Sequence, residues 1–365
     1  MIGITGTLSK GWMNQALGVA FDRDYYFDPE KRHAIDCLCN QYAAETFPET
    51  AVFYSESNLG RINYWDPSQV QIGGIQPNLI LGMLLGAEFV PADNRDADIA
   101  PGCLRDRGPA ELPAPAVLLD HELVRLFDDQ IARIQRCSQE RLRPVPPFFW
   151  DVSGRAAIHG VVTTAQKLCG ETIFLDMLTE PRKCEEIMQW IAEAYITLCR
   201  HYARVAALPI TDVHVGECSG CMIGPALVTR FITSATSHIS RHLGPVRFHS
   251  CGTSTHLLDS FARIEGLHSL DLGGETSIRR AREVFGPRMP MSIAPLPDDM
   301  STERIQPILD WAERTLADNE GGDLAFVYHL EPGYNLATIH VLTDFLKHQP
   351  DYQDTGSCRG KKTST

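Results

Sequence analysis

The stretch His249-Ser-Cys251-Gly252 puts an imidazole and a thiol two residues apart where the apolar run "VRFHS" meets a glycine turn. Side chains two apart on an extended segment share a face. An imidazole nitrogen beside a thiolate suits Zn²⁺, which takes nitrogen and sulfur ligands tetrahedrally and keeps one position open in catalytic sites. Metal would also hold Cys251 as thiolate at neutral pH. A buried histidine bonded to a backbone carbonyl beside a packed thiol would read the same way, so the pair alone does not decide. Glu217, Cys218, Cys221, Asp271, His329 and Glu331 offer further metal-capable or proton-transferring groups. Cys218 and Cys221 form a Cys-x-x-Cys pair, which fits a metal half-site, a redox pair or a tight loop ahead of Gly224-Pro225.

These residues fall at corresponding places in a repeated pattern. Strand "TDVHVGE" precedes helix "GPALVTRFITSATSHISRHLG", and "VRFHS" precedes "STHLLDSFARIE". "LHSLDLG" precedes "TSIRRAREVFG", "MPMSIAP" precedes "TERIQPILDWAERTLADN", and "LAFVYH" precedes "LATIHVLTDFLKH". Five strand–helix units with short returns imply parallel strands and right-handed crossovers. With units upstream they fill a (β/α)8 TIM barrel; a doubly wound open sheet is the competing arrangement. No glycine-rich phosphate fingerprint follows any strand, which disfavours the open sheet. In a (β/α)8 barrel chemistry sits at the C-terminal strand ends, and those ends here carry Glu217–Cys218, His249–Cys251, Asp271, Ala294-Pro295 and His329–Glu331.

Residues 1–150 are irregular, with a helix over "HAIDCLCNQYAAETF", strands "AVFYSE" and "AEFVPA", and a helix over "HELVRLFDDQIARIQRCSQERL". The sequence divides into a helical extension over 1–50, a barrel domain over 51–350 and a disordered tail over 351–365. Cys169, Cys184 and Cys199 lie in amphipathic helical patterns and read as packing residues. Cys37 and Cys39 face different ways on a helix and read as structural, and His256, His268 and His340 read as packed or surface histidines.

The chain has 365 residues, with 46 acidic against 33 basic side chains and a net charge of −13. That balance opposes phosphate backbones and anionic lipid, so neither nucleic acid nor a membrane is an expected partner. No apolar run approaches ~20 residues. Eleven scattered cysteines and no secretory leader pattern fit reduced thiols and a cytoplasmic setting.

The segments "HGVVTTAQKLCGETIFLDMLTEPRKCEEIMQWI", "GECSGCMIGPALVTRF", "FHSCGTSTHLLDSFARIEGLHSLDLGGETSIRRAREVFGPRMPM" and "VYHLEPGYN" together resemble the uroporphyrinogen decarboxylase superfamily over residues 150–348. The resemblance implies a (β/α)8 barrel of the uroporphyrinogen decarboxylase type and one of two chemistries. On the decarboxylase side His329 matches a histidine near the last strand, and Cys218 stands where a substrate-contacting serine is found. The N-terminal Arg-Gln-Ala-Gly-Arg loop of that branch is absent, and Gln166 stands in place of its tyrosine. A substrate with many carboxylates needs clustered arginines, so tetrapyrrole decarboxylation is disfavoured.

On the methyltransferase side, His-x-Cys-Gly after a central strand binds zinc, which activates a substrate thiol. The third ligand there is usually a cysteine after the last strand, and here His329 occupies that place, with Cys218 as the alternative. The resemblance therefore implies a zinc-dependent methyl (alkyl) transferase with His249, Cys251 and His329 on the metal, and with Glu217, Cys218 and Asp271 lining the pocket. Glu217 would be the proton acceptor or a carboxylate supporting the metal ligands from behind. A small thiol or methylated molecule would be the substrate, a corrinoid or corrinoid protein is an admissible methyl carrier, and a homodimer is admissible too. The alternative is a lyase, a decarboxylase or carbon–sulfur lyase acting on a small non-tetrapyrrole substrate in the same pocket. Iron is the alternative metal.

Overall fold

The computed structural model describes residues 1–48, 52–54, 66–136 and 142–353. Its centre is one sheet of eight strands: β1 (Ile2–Leu8), β2 (Val52–Phe53), β3 (Arg155–His159), β4 (Asp212–Gly216), β5 (Val246–Ser250), β6 (Leu267–Gly273), β7 (Met291–Ala294) and β8 (Leu324–Leu330). The order is β2-β1-β8-β7-β6-β5-β4-β3, with every pair parallel. Chain order runs around the sheet and β8 returns to β1, which is a curled, barrel-like order and not that of a doubly wound open sheet. No ladder joins β2 to β3 among the described residues, so the layer is a half-barrel with a seam there.

Strand β1 lies inside the sheet, with all seven residues buried, so residues 2–8 are not part of a helical extension. Its sequence, "IGITGTL", mixes β-branched residues with glycine and lacks the polar alternation of a half-exposed strand. A strand buried on both faces does not alternate, which is why the sequence reads as irregular there. Strand β3 escapes a sequence reading for the same reason; four of its five residues are buried.

The helices cover the outer face. The longest, α1 (Pro181–Val205), starts with proline at its first turn and buries Ile187, Met188, Ile191, Tyr195, Leu198 and Tyr202 at three- and four-residue spacing. The expected single helix over 224–244 is interrupted: Pro225–Leu227 leads into a π turn over Val228–Thr233 and then into α2 (Ser234–Leu243). The expected helix over 254–265 shortens to Thr255–Leu257 and Leu258–Phe261. The "AVFYSE" strand is described only at Val52–Phe53 with the following Tyr54. Beyond Gln353 the tail lies outside the described residues, as does the end of the helix whose described part is Glu122–Arg136.

Inside the sheet, the two-residue period aligns polar side chains in layers. Arg155 donates to Asp212 at 2.8 Å, and both are largely buried. One layer further, ladder pairing places Ala157, His214, Arg247 and Ser269 in a row, and the next row is His159, Gly216, His249 and Asp271. The rows rise towards the C-terminal ends of the strands, where the sequence concentrates its reactive groups.

Candidate metal centre

The ladder between β4 and β5 runs one bond past the strands: the Glu217 amide donates to the His249 carbonyl at 2.9 Å. That extension brings the turn Cys218–Met222 against the end of β5. As a result the ligand-capable atoms of Cys218, His249 and Cys251 lie within 4.8 Å of one another. His249 Nε2 is 2.9 Å from Cys251 Sγ, and the two sulfurs are 3.1 Å apart. Gly252, at φ +63°, turns the chain immediately after Cys251, and β6 packs so closely that a Cβ on Gly273 would lie 2.5 Å from the Gly252 backbone. Glycine at both places lets the His249–Cys251 loop sit tight on the sheet.

Behind the histidine stands a carboxylate. Asp271 Oδ2 is 2.7 Å from His249 Nδ1, and Arg247 donates to the same oxygen at 3.4 Å. Arg247 also donates to Ser292 Oγ at 3.0 Å. Burial opposes ionisation of Asp271, but Arg247 and His249 outweigh it and hold the carboxyl at about 2. Burial likewise opposes charge on His249, yet Asp271 raises it to about 10. The Cys218 hydrogen bond, with help from His249, lowers the Cys251 thiol to about 5. Cys218 shifts upward chiefly through the hydrogen bond it shares with that sulfur. Without metal the centre is therefore an imidazolium–thiolate pair solvated by a second thiol.

Two sulfurs and a ring nitrogen, with the far nitrogen held by a carboxylate, are the donor set and the outer support of a zinc site with an open position. Their separations need to relax only a little to the roughly 3.3–3.8 Å between ligands that tetrahedral bonds of the usual length impose.

His329 stands apart from this group. Its Nδ1 is 2.6 Å from Thr7 Oγ1 and its Nε2 3.6 Å from Glu331. Strands β6 and β7 separate β8 from β5 in the sheet. Cys221 turns its sulfur to the Cys218 carbonyl at 3.2 Å, so the Cys-x-x-Cys pair contributes one sulfur to the group. Asp271 is 3% exposed behind His249. Glu217 is fully buried and takes Val162 N–H at 3.2 Å and Thr163 N–H at 2.7 Å, both at the start of helix α3 (Val161–Cys169). Its carboxyl caps the helix N-terminus by accepting these N–H groups, and it fixes the chain that leads into Cys218.

Burial raises Glu217 to about 7 against these three stabilising bonds, the third coming from the Thr163 hydroxyl. The folded protein therefore keeps a proton that the unfolded chain releases at 4.5. Stability from this group is complete below that value and declines as pH rises through 7. Denaturant titrations across this range should show a loss of about 3 kcal/mol in the parent relative to Glu217→Gln. Parallel pH profiles of the two would contradict this account of Glu217.

A cavity of about 330 Å³ opens at the seam between β2 and β3, and Cys218 and His249 form part of its wall. Tyr54, Phe149 and Trp150 supply aromatic surface, and His159 and His214 supply imidazoles. Neither histidine belongs to a sequence motif. Their signal lies in the strand register: His159 lies in the His249 row, and His214 lies in the row beneath it.

No family model matches the chain, and no curated protein matches it either. Among solved structures it is similar to a methyltransferase from Methanosarcina mazei, at a TM-score of 0.61 and 14% identity. The match covers 93% of this chain and 92% of the other. At that identity the likeness establishes the architecture: an eight-stranded parallel half-barrel of the kind on which that methyltransferase is built.

Proposed function

We propose that the protein is a zinc-dependent methyl (alkyl) transferase of the uroporphyrinogen decarboxylase superfamily that acts on a small molecule in the seam cavity. The observation that carries this reading is the convergence of Cys218, His249 and Cys251 on one point at the wall of that cavity. The methyltransferase likeness of the fold supports it. Zinc held there would supply a Lewis acid that lowers the pKa of a substrate thiol.

The chain's own residues prepare that site. Asp271 fixes the His249 ring so that Nε2 faces the cysteines, and Arg247 keeps Asp271 ionised. Cys251 is already poised as thiolate, and Cys218 gives up its proton when metal binds. The aromatic wall excludes water from the reacting atoms. In this reading His329 is not a ligand, and the third donor is Cys218.

Metal analysis of the purified protein tests this: about one zinc per chain is expected. Spectral titration with a methylcorrinoid and small thiols should then show thiol-dependent demethylation of the corrinoid. A metal-free protein with full activity overturns the reading.

A further inference from the structure

The two imidazoles in the cavity wall have no part in the metal chemistry, and their hydrogen bonding is incomplete. His214 is 5% exposed, and Arg247 Nη1 lies 3.0 Å from its Nδ1. A guanidinium has only donors, so Nδ1 accepts and the ring proton sits on Nε2. Burial, reinforced by Arg247, drives His214 well below its ordinary value, so the ring stays neutral in that single tautomer. Trp150 packs on it with ring centroids 4.3 Å apart and fixes its plane. Its Nε2–H has no hydrogen-bond partner among the described residues.

His159 is in a similar state. Its Nδ1 is shut away from solvent without a partner, and among the described residues Nε2 has none either. Between His159 and His249 in the ladder stands Gly216. A Cβ there would meet nothing closer than His214 Nε2 at 3.6 Å, an ordinary contact. Protein packing therefore does not demand glycine at this position. What the missing side chain provides is space, directly in front of the unpaired His214 N–H and one ladder step from the metal centre.

We propose that His214 and His159 read the ligand: the molecule that fills the cavity carries an oxygen acceptor, which takes the fixed Nε2–H of His214 in the gap left by Gly216, beside His159. The aromatic side chains Tyr54, Phe149 and Trp150 pack on its apolar body. A buried donor left unpaired costs about 1–3 kcal/mol, so the pocket rejects a molecule of the same shape that lacks the oxygen. The inference rests on the cavity being the substrate site of the proposed transferase, while its recognition chemistry is independent of the metal.

Phenol and toluene have nearly the same shape and differ in one oxygen, so they serve as probes of the zinc-loaded full chain by ligand-observed NMR titration. Phenol should bind about tenfold or more tightly than toluene. The preference should vanish in His214→Phe, persist in His214→Gln, which keeps an N–H donor, and weaken in His159→Phe. Should His214→Phe not fold, as judged by circular dichroism, the Gln variant and His159→Phe still decide. Equal binding of the two probes, binding of neither, or a preference untouched by the His214→Phe and His159→Phe exchanges overturns the proposal. Repeating the pair of titrations on metal-free Cys251→Ala separates the two readings. A preference that survives there leaves ligand reading intact whatever happens to the transferase chemistry, and zinc content that is normal in His214→Phe does the converse.

Discussion

Cys251→Ala is expected to leave the purified protein essentially without zinc and without transferase activity. Cys251 is the sulfur on which the other two donors converge: His249 Nε2 lies 2.9 Å away and Cys218 Sγ 3.1 Å away. Loss of an outer-shell partner costs about 10–100-fold in metal affinity, and removal of a direct ligand costs more. Cys218→Ala should empty the site in the same way, whereas His329→Ala should retain about one zinc per chain. The three proteins separate the competing third donors, and elemental analysis after dialysis is the measurement. Zinc retained in Cys218→Ala but lost in His329→Ala would move the third ligand to β8. Circular dichroism should be unchanged in all three, because the donors sit at strand ends outside the apolar core.

Asp271→Asn should produce the second large effect, on metal affinity and on stability together. The carboxylate holds His249 and faces Arg247, and Asp271 and Arg247 are both buried. The amide leaves Arg247 without its counter-charge, and breaking a buried pair of this kind costs about 3–5 kcal/mol. Zinc affinity should fall about 10–100-fold, because the histidine loses its orienting partner.

The metal-free parent has a pH signature that the variant lacks. His249 is raised from 6.5 to about 10, so its contribution is full below 6.5 and is lost as pH rises to 10. Cys251 is lowered from 9.0 to about 5, so its contribution is full above 9 and is lost as pH falls to 5. Between 6.5 and 9 folded and unfolded states hold equal numbers of protons on this pair, and the two slopes cancel. From these groups, metal-free parent stability should be flat over that window, decline on the acid side towards 5 and decline on the alkaline side towards 10. In Asp271→Asn the alkaline limb should shrink, since Asp271 is the main charge that raises His249. Denaturant titrations from pH 5 to 10 read both limbs, and an unchanged alkaline limb would break the link between Asp271 and His249.

How far the sequence alone reaches is clear from particular residues. The pairing of His249 with Cys251 follows from the period of a strand, since two residues apart on β5 means one face. The strand–helix alternation from Asp212 to Lys347 follows from hydrophobic periodicity, and five strands lie where that periodicity puts them. Both are local: each depends on neighbours within one element.

What the tertiary structure alone decided is adjacency between elements. Cys218 joins the metal group because β4 borders β5 and their ladder runs one bond further; His329 does not, because β6 and β7 intervene. His159 and His214 carry no spacing motif, and they reach the site through registers that link residues more than thirty positions from Cys251. Strand β1 declares itself only once β8 lies beside it. Ladder bonds reach across about 4.8 Å between strands that are far apart along the chain, so chain spacing carries no trace of them, and the second sulfur beside His249, the two imidazoles of the cavity wall and the seam at which the cavity opens all follow from how the strands pack.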